Sequence, residues 1–144
     1  MTARKARISR RLREQVAEAA GYRCGYCRTP QYLVGYPLTI DHIVPEARGG
    51  RAVEENLWLA CVTCNQYKGS QVSARDAKIR RNVHLFNPRL QKWGTHFRWN
   101  EDGTEIIGVT SCGRATVAAL NLNHSEIVGV RSLWVQVGWW PPID

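Results

Sequence analysis

Leu38-Thr-Ile-Asp-His-Ile-Val-Pro45 is the stretch on which the fold turns. It alternates and is rich in β-forming residues, so it reads as a strand. Neighbouring strand residues face opposite sides, so Asp41 and His42 cannot both point into a core. The following segment, 46–55, contains Gly49-Gly50 and reads as a loop. Leu57-Trp-Leu-Ala60 is a second short strand, and Thr63 to Lys68 opens a helix. The order is therefore strand, loop, strand, helix.

Two cysteine pairs bracket this unit, Cys24-Gly-Tyr-Cys27 before it and Cys61-Val-Thr-Cys64 at its end. Two residues between cysteines let both thiolates reach one ion, and two such knuckles complete a tetrahedral Zn²⁺ site. The 33 residues between the pairs exceed the usual finger spacing, so the strand segment is an insertion between knuckles. A redox Cys-x-x-Cys pair and unligated core cysteines are the alternatives; the redox reading lacks a βαβ setting. Four sulfur ligands leave no open position, so one structural zinc is expected to hold the fold. Cys112 reads as a small buried apolar residue.

Composition bounds the function. A chain of 144 residues is long enough for one domain with a real core, and 44% apolar with 22% charged residues is ordinary for a globular protein. No run suits a membrane span, and no apolar stretch follows the basic N-terminus, so a cytoplasmic protein with no membrane partner is expected. The net charge of +8 is uneven: residues 1–23 carry +5, 24–70 are neutral and 71–144 carry +3. Basic arms around a neutral centre suit a polyanion, because each Lys or Arg near a phosphate releases counterions; solubility alone is the plainer reading.

Outside the centre, Ile8, Leu12, Val16 and Ala20 recur at four-residue spacing between Ser9, a candidate N-cap, and Gly21, a stop. Arg10, Arg11 and Arg13 lie on the other face. Ser73-x-x-Asp76 resembles a capping box and predicts a second basic helix ending near Asn82, carrying Lys78, Arg80 and Arg81. Asn100-Glu-Asp-Gly103 predicts a hairpin between 95–99 and 104–109, and 113–120 and 125–137 read as helices, with Ile127, Val130, Trp134 and Val137 on one face. Five of the six tryptophans fall in 93–140 and are expected to build a core with that hairpin. The expected division is a core at 1–82 with basic flanking helices and a Trp-rich extension at 83–144. His84, His96 and His124 have no partners at ligand spacing and take no role.

Asn56 opens the second strand, and Asn65 follows Cys64 at the head of the helix, with Lys68 one turn on. At 38–45, at Glu55-Asn56-Leu57 and at Cys61-Val-Thr-Cys-Asn-Gln-Tyr-Lys-Gly69 the chain resembles the HNH endonuclease family, over residues 8–70. Asn65 stands where many members carry His, an HNN variant that keeps a metal-binding oxygen. The resemblance implies an α+β fold: a zinc-stabilised ββα-metal core with an N-terminal helix, here followed by a hairpin-plus-helices extension.

The resemblance also implies chemistry. One catalytic Mg²⁺ or Mn²⁺ is expected on Asp41 and Asn65, with His42 taking the proton of the attacking water and Asn56 bonding across the loop to hold His42. Lys68 is a candidate phosphate contact or a solvated helix residue. Arg10, Arg11, Arg13, Arg80 and Arg81 are candidate backbone contacts or plain surface. The expected substrate is DNA, cut to 5′-phosphate and 3′-hydroxyl ends. RNA as the substrate, or a zinc-stabilised binding module without catalysis, remain open beside it. One such site cuts one strand, so a double-strand break needs a second pass, a dimer or a partner.

Overall fold

The computed structural model describes residues 7–143; the first six residues of the basic N-terminal stretch and Asp144 lie outside the described residues. Helix α1 spans Arg10–Ala19: the Ser9 side chain accepts from the Leu12 N–H at 3.1 Å, and Gly21 takes φ +63° to end it. Val16, Ala17 and Ala20 form its buried face, while Arg10, Arg11 and Arg13 are exposed. A short helix, α2 (Gln31–Val34), follows the first cysteine pair.

Strand β1 (Thr39–His42) pairs antiparallel with β2 (Leu57–Ala60), placing Asp41 opposite Trp58 and His42 opposite Leu57. Helix α3 (Val62–Lys68) starts immediately after β2, with the Cys61 sulfur accepting from the Cys64 N–H at 3.4 Å, and packs on β1. The expected strand, loop, strand and helix are all present, so the Asp-His pair lies between a helix and the loop that links the strands.

The expected basic helix at 73–82 is corrected. Residues 73–84 form a hairpin of β3 (Ser73–Asp76) and β4 (Arg81–His84). Asp76 does not close a capping box; its carboxylate accepts from the Lys78 N–H at 3.2 Å, an Asx turn, and Arg80 takes φ +58° as the chain reverses. Ser and Asp serve turns as readily as helix starts, and here the alternation of Val72, Ala74 and Asp76 decided for strand.

The extension begins with α4 (Trp93–His96) and the hairpin of β5 (Phe97–Trp99) with β6 (Ile106–Gly108), followed by α5 (Ser111–Ala119) and α6 (Ser125–Gln136). The tryptophans do build a core with the hairpin: Trp93 stacks on Phe97 and Trp99, and Trp140 contacts Trp99 and Trp134. One hydrophobic cluster runs from Ala17 and Tyr26 through Leu59 to Phe86, Phe97 and Leu122, crossing residues 82 and 83. The expected apolar face of α6 is not packed core, since Val130 and Val137 are exposed. Arg131, not an apolar residue, is the buried side chain of that helix, and Ile127, Val130 and Trp134 line a cavity beside the cysteines. Cys112 is half-buried rather than buried.

Candidate active site and metal centre

The four knuckle cysteines converge, with all their sulfurs within 4.8 Å of one another and Cys27 Sγ 3.8 Å from Cys61 Sγ. Zinc–sulfur bonds of about 2.3 Å in a tetrahedron give sulfur–sulfur edges of about 3.8 Å, so the donor set fits Zn²⁺. Burial pushes the Cys24 thiol up, and the neighbouring sulfurs, Cys24 first, push Cys64 up. Hydrogen bonds from the same neighbours hold Cys27 low. Four sulfurs this close ionise together only around a cation, and a divalent ion supplies that charge.

Asp41, His42 and Asn65 line a single open cavity of about 840 Å³ together with Arg7, Arg13 and Glu46. Asp41 and His42 come from β1 and Asn65 from the first turns of α3, so residues far apart in sequence share one wall. Asp41 is 3% exposed; its Oδ2 accepts from the Tyr26 hydroxyl at 2.6 Å and its Oδ1 from the Lys68 ammonium at 3.1 Å. Each carboxylate oxygen has about two lone-pair positions, so one per oxygen remains for a cation. Hard oxygen donors on an open cavity suit Mg²⁺ or Mn²⁺.

His42 Nε2 lies 3.2 Å from Glu46 Oε1, within ion-pair distance but off the line of a good hydrogen bond. Glu46 sits in the short 3₁₀ turn Glu46–Arg48, just after Pro45. The sequence reading missed it, and its four-residue spacing from His42 was the only available signal.

Asn56 does bond across the loop, but not to His42. Its Oδ1 accepts from the Val44 N–H at 2.8 Å, and its Nδ2 donates to the carbonyls of Val44 at 3.0 Å and Arg51 at 2.9 Å. The Asn56 carbonyl also accepts from the Ile43 N–H at 2.8 Å. Asn56 therefore holds the chain that leaves His42. Gly50 completes this closure: a Cβ there would lie 1.6 Å from the Val44 oxygen.

Lys68 is corrected from a candidate phosphate contact. It is 2% exposed, and besides Asp41 it donates to the carbonyls of His42 at 2.9 Å and Ile43 at 3.3 Å. The last turn of α3 lies under the end of β1, so the ammonium finds a carboxylate and two strand-end carbonyls. Of the candidate backbone contacts, Arg13 lines the cavity; Arg10 and Arg11 are exposed on the same helix, and Arg80 and Arg81 are exposed at the β3–β4 turn. Among the histidines without a role, His124 caps α6 through Nδ1, and His96 Nδ1 lies 2.7 Å from the Thr110 hydroxyl.

Among known families, residues 24–71 match the sequence model of the HNH endonucleases, a span that runs from the first knuckle past the end of α3 and covers a third of the chain. No curated protein and no solved structure matches the chain. Among the described residues, no helix is long and apolar enough to cross a membrane.

Proposed function

We propose that the protein is a divalent-metal-dependent nuclease that nicks DNA, leaving 5′-phosphate and 3′-hydroxyl ends, a reading supported by the match of residues 24–71 to the HNH endonuclease model. The observation that carries this is the convergence of Asp41, His42 and Asn65 on one open cavity whose wall includes Arg7 and Arg13.

Asp41 and Asn65 are the side chains that would hold Mg²⁺ or Mn²⁺, which supplies Lewis-acid stabilisation of charge on the phosphate and the departing oxygen. His42 takes the proton of the attacking water, a task suited to an imidazole at neutral pH. Asn56 fixes the backbone beyond His42, so the imidazole stands at a constant distance from the scissile phosphate. Arg13 and Arg7 receive the phosphates at the cavity, and Arg10, Arg11, Arg80 and Arg81 are further backbone contacts, which position a polyanion without reading its sequence. The Cys24, Cys27, Cys61 and Cys64 sulfurs hold one structural Zn²⁺, which fits a reducing, cytoplasmic setting. One cavity per chain cuts one strand; breaking both strands takes two events or two copies.

Supercoiled-plasmid cleavage with Mg²⁺ or Mn²⁺ tests the reading. Wild-type protein gives nicked circles, whereas His42→Ala binds plasmid with near-normal affinity and cuts little. Absence of cleavage by the wild type on DNA and RNA with every divalent ion would falsify the enzyme reading and leave a binding module. Cleavage of RNA alone would reassign the substrate.

A further inference from the structure

Asp41 is a carboxylate in the protein interior; one of its hydrogen-bond donors comes from the first cysteine pair and the other from the helix that carries Cys64. Tyr26, 0% exposed, stands between Cys24 and Cys27 and donates to Oδ2 at 2.6 Å, the length of a charge-assisted O–H···O⁻ bond. Lys68 stands one turn beyond Cys64 on α3 and donates to Oδ1 at 3.1 Å. The two sulfur pairs therefore reach the same carboxylate from two sides.

Tyr26 is itself held rigidly. The flanking knuckle backbone is closed by the Cys24 N–H on the Thr29 carbonyl at 3.0 Å and the Arg28 N–H on the Cys24 carbonyl at 3.0 Å. Its own carbonyl accepts from the Trp93 indole at 2.8 Å. A phenol titrates near about 10 and so is a hydrogen-bond donor at neutral pH, and at 2.6 Å this one is seated on the carboxylate. A fixed donor on a buried carboxylate selects one side-chain rotamer and directs the remaining lone pairs outward, toward the cavity that Asn65 shares.

We propose that Tyr26 is a positioning residue for catalytic-metal binding: through its hydroxyl, the geometry set at the four knuckle sulfurs fixes the orientation of the Asp41 carboxylate. The proposal rests on Asp41 being a ligand of the catalytic ion. It makes the knuckle more than a fold staple, because the first cysteine pair then contributes to a second metal site without touching it. A purely structural Tyr26 fills volume, and phenylalanine fills nearly the same volume.

The test is Mn²⁺ titration of zinc-loaded Tyr26→Phe by calorimetry, beside wild type and Asp41→Ala, with zinc content and melting temperature as checks on folding. Tyr26→Phe keeps one zinc but binds Mn²⁺ about tenfold more weakly, the scale of losing a hydrogen bond behind a metal ligand. Cleavage falls by the same factor at limiting Mn²⁺ and recovers at saturating Mn²⁺. Mn²⁺ affinity that is unchanged or tighter in zinc-loaded Tyr26→Phe overturns the proposal. Wild-type affinity in Asp41→Ala overturns instead the underlying reading of the site, whatever Tyr26→Phe does. Should Tyr26→Phe not fold, 3-fluorotyrosine placed at position 26 of otherwise wild-type protein decides: its ¹⁹F resonance shifts on adding Mg²⁺, and a resonance that stays put overturns the proposal.

Discussion

The Arg114 guanidinium closes on the Asp76 carboxylate with two hydrogen bonds, Nε to Oδ1 at 3.1 Å and Nη2 to Oδ2 at 2.8 Å. This pair ties β3, just beyond the residues that match the HNH model, to α5. Hydrogen bonds from Arg114, with help from the Lys78 backbone N–H, hold the Asp76 carboxyl below its ordinary value. A depressed acid contributes stability that is fully present above the unfolded pKa, about 3.9, and is lost as pH falls through the folded value. Asp76→Asn therefore lowers the melting temperature by a constant amount between pH 5 and pH 8. Thermal unfolding across that range checks it; a gap that already narrows between pH 6 and pH 5 contradicts the pairing.

Asp76 also marks where the sequence was misread. The β1, β2 and α3 elements were legible because a run of β-formers, a Gly-Gly loop and the second Cys-x-x-Cys pair all agree on one arrangement. Ser73 and Asp76 offered a local signal shared by helix starts and turns; the alternation of Val72, Ala74 and Asp76 favours the strand, and Arg114, 38 residues away, holds Asp76 in it. The same limit applies at the site. Asp41, His42 and Asn65 are named as candidates by residue type, spacing and the family resemblance, and the structure brings them to one cavity. Tyr26, Glu46 and the burial of Lys68 were not legible, because each is defined by a contact across the fold. Asn56 was half legible: the loop bond was expected, but its acceptors are backbone groups that any sequence possesses.

Asn56 makes three side-chain hydrogen bonds to the loop that leaves His42, and Gly50 lets that loop close. Asn56→Ala loses these bonds and leaves backbone groups of Val44 and Arg51 without their partner, a cost of about 2 kcal/mol in stability. Cleavage falls further than stability does, because His42 loses its fixed stance. Gly50→Ala pushes the loop off Val44 and weakens cleavage in the same way while zinc content stays at that of the wild type. Denaturant melts paired with plasmid nicking separate the two effects; full activity in either variant refutes the loop's role.

Arg131 is 0% exposed, and its guanidinium donates to the carbonyls of Thr104 at 3.0 Å and Leu122 at 2.8 Å and to Asn123 Oδ1 at 3.2 Å. Burial lowers its pKa, and the four knuckle sulfurs, Cys27 first, oppose that by favouring the charge. Four thiolates around one Zn²⁺ would carry −2, a charge that this cation from α6 would balance. Cys24→Ser or Cys64→Ser accordingly fails to fold, with the loss of about one zinc per chain, whereas Cys112→Ser retains it. Arg131→Met folds less stably and yields its zinc to a colorimetric chelator about tenfold faster than wild type. Equal release rates would show that neutral dipoles alone support the centre.

Glu46 gives the sharpest test of the proposed catalytic role of this cavity. Its Oε1 stands 3.2 Å from His42 Nε2, and among the described residues the ring nitrogen has no better-aligned partner. In the proposed mechanism the carboxylate would accept from Nε2–H, which would leave Nδ1 to receive the proton of water. Glu46→Ala therefore lowers kcat about tenfold or more with little change in KM, since the ring turns freely but phosphate binding is untouched. Glu46→Gln, whose amide oxygen still accepts from Nε2–H, retains most of the rate. Long-range ¹H–¹⁵N NMR of His42 gives an independent reading: the neutral ring carries its proton on Nε2 in wild type and populates both tautomers in Glu46→Ala. Identical tautomers and identical kcat in the two proteins would reduce Glu46 to a surface acid that happens to lie nearby.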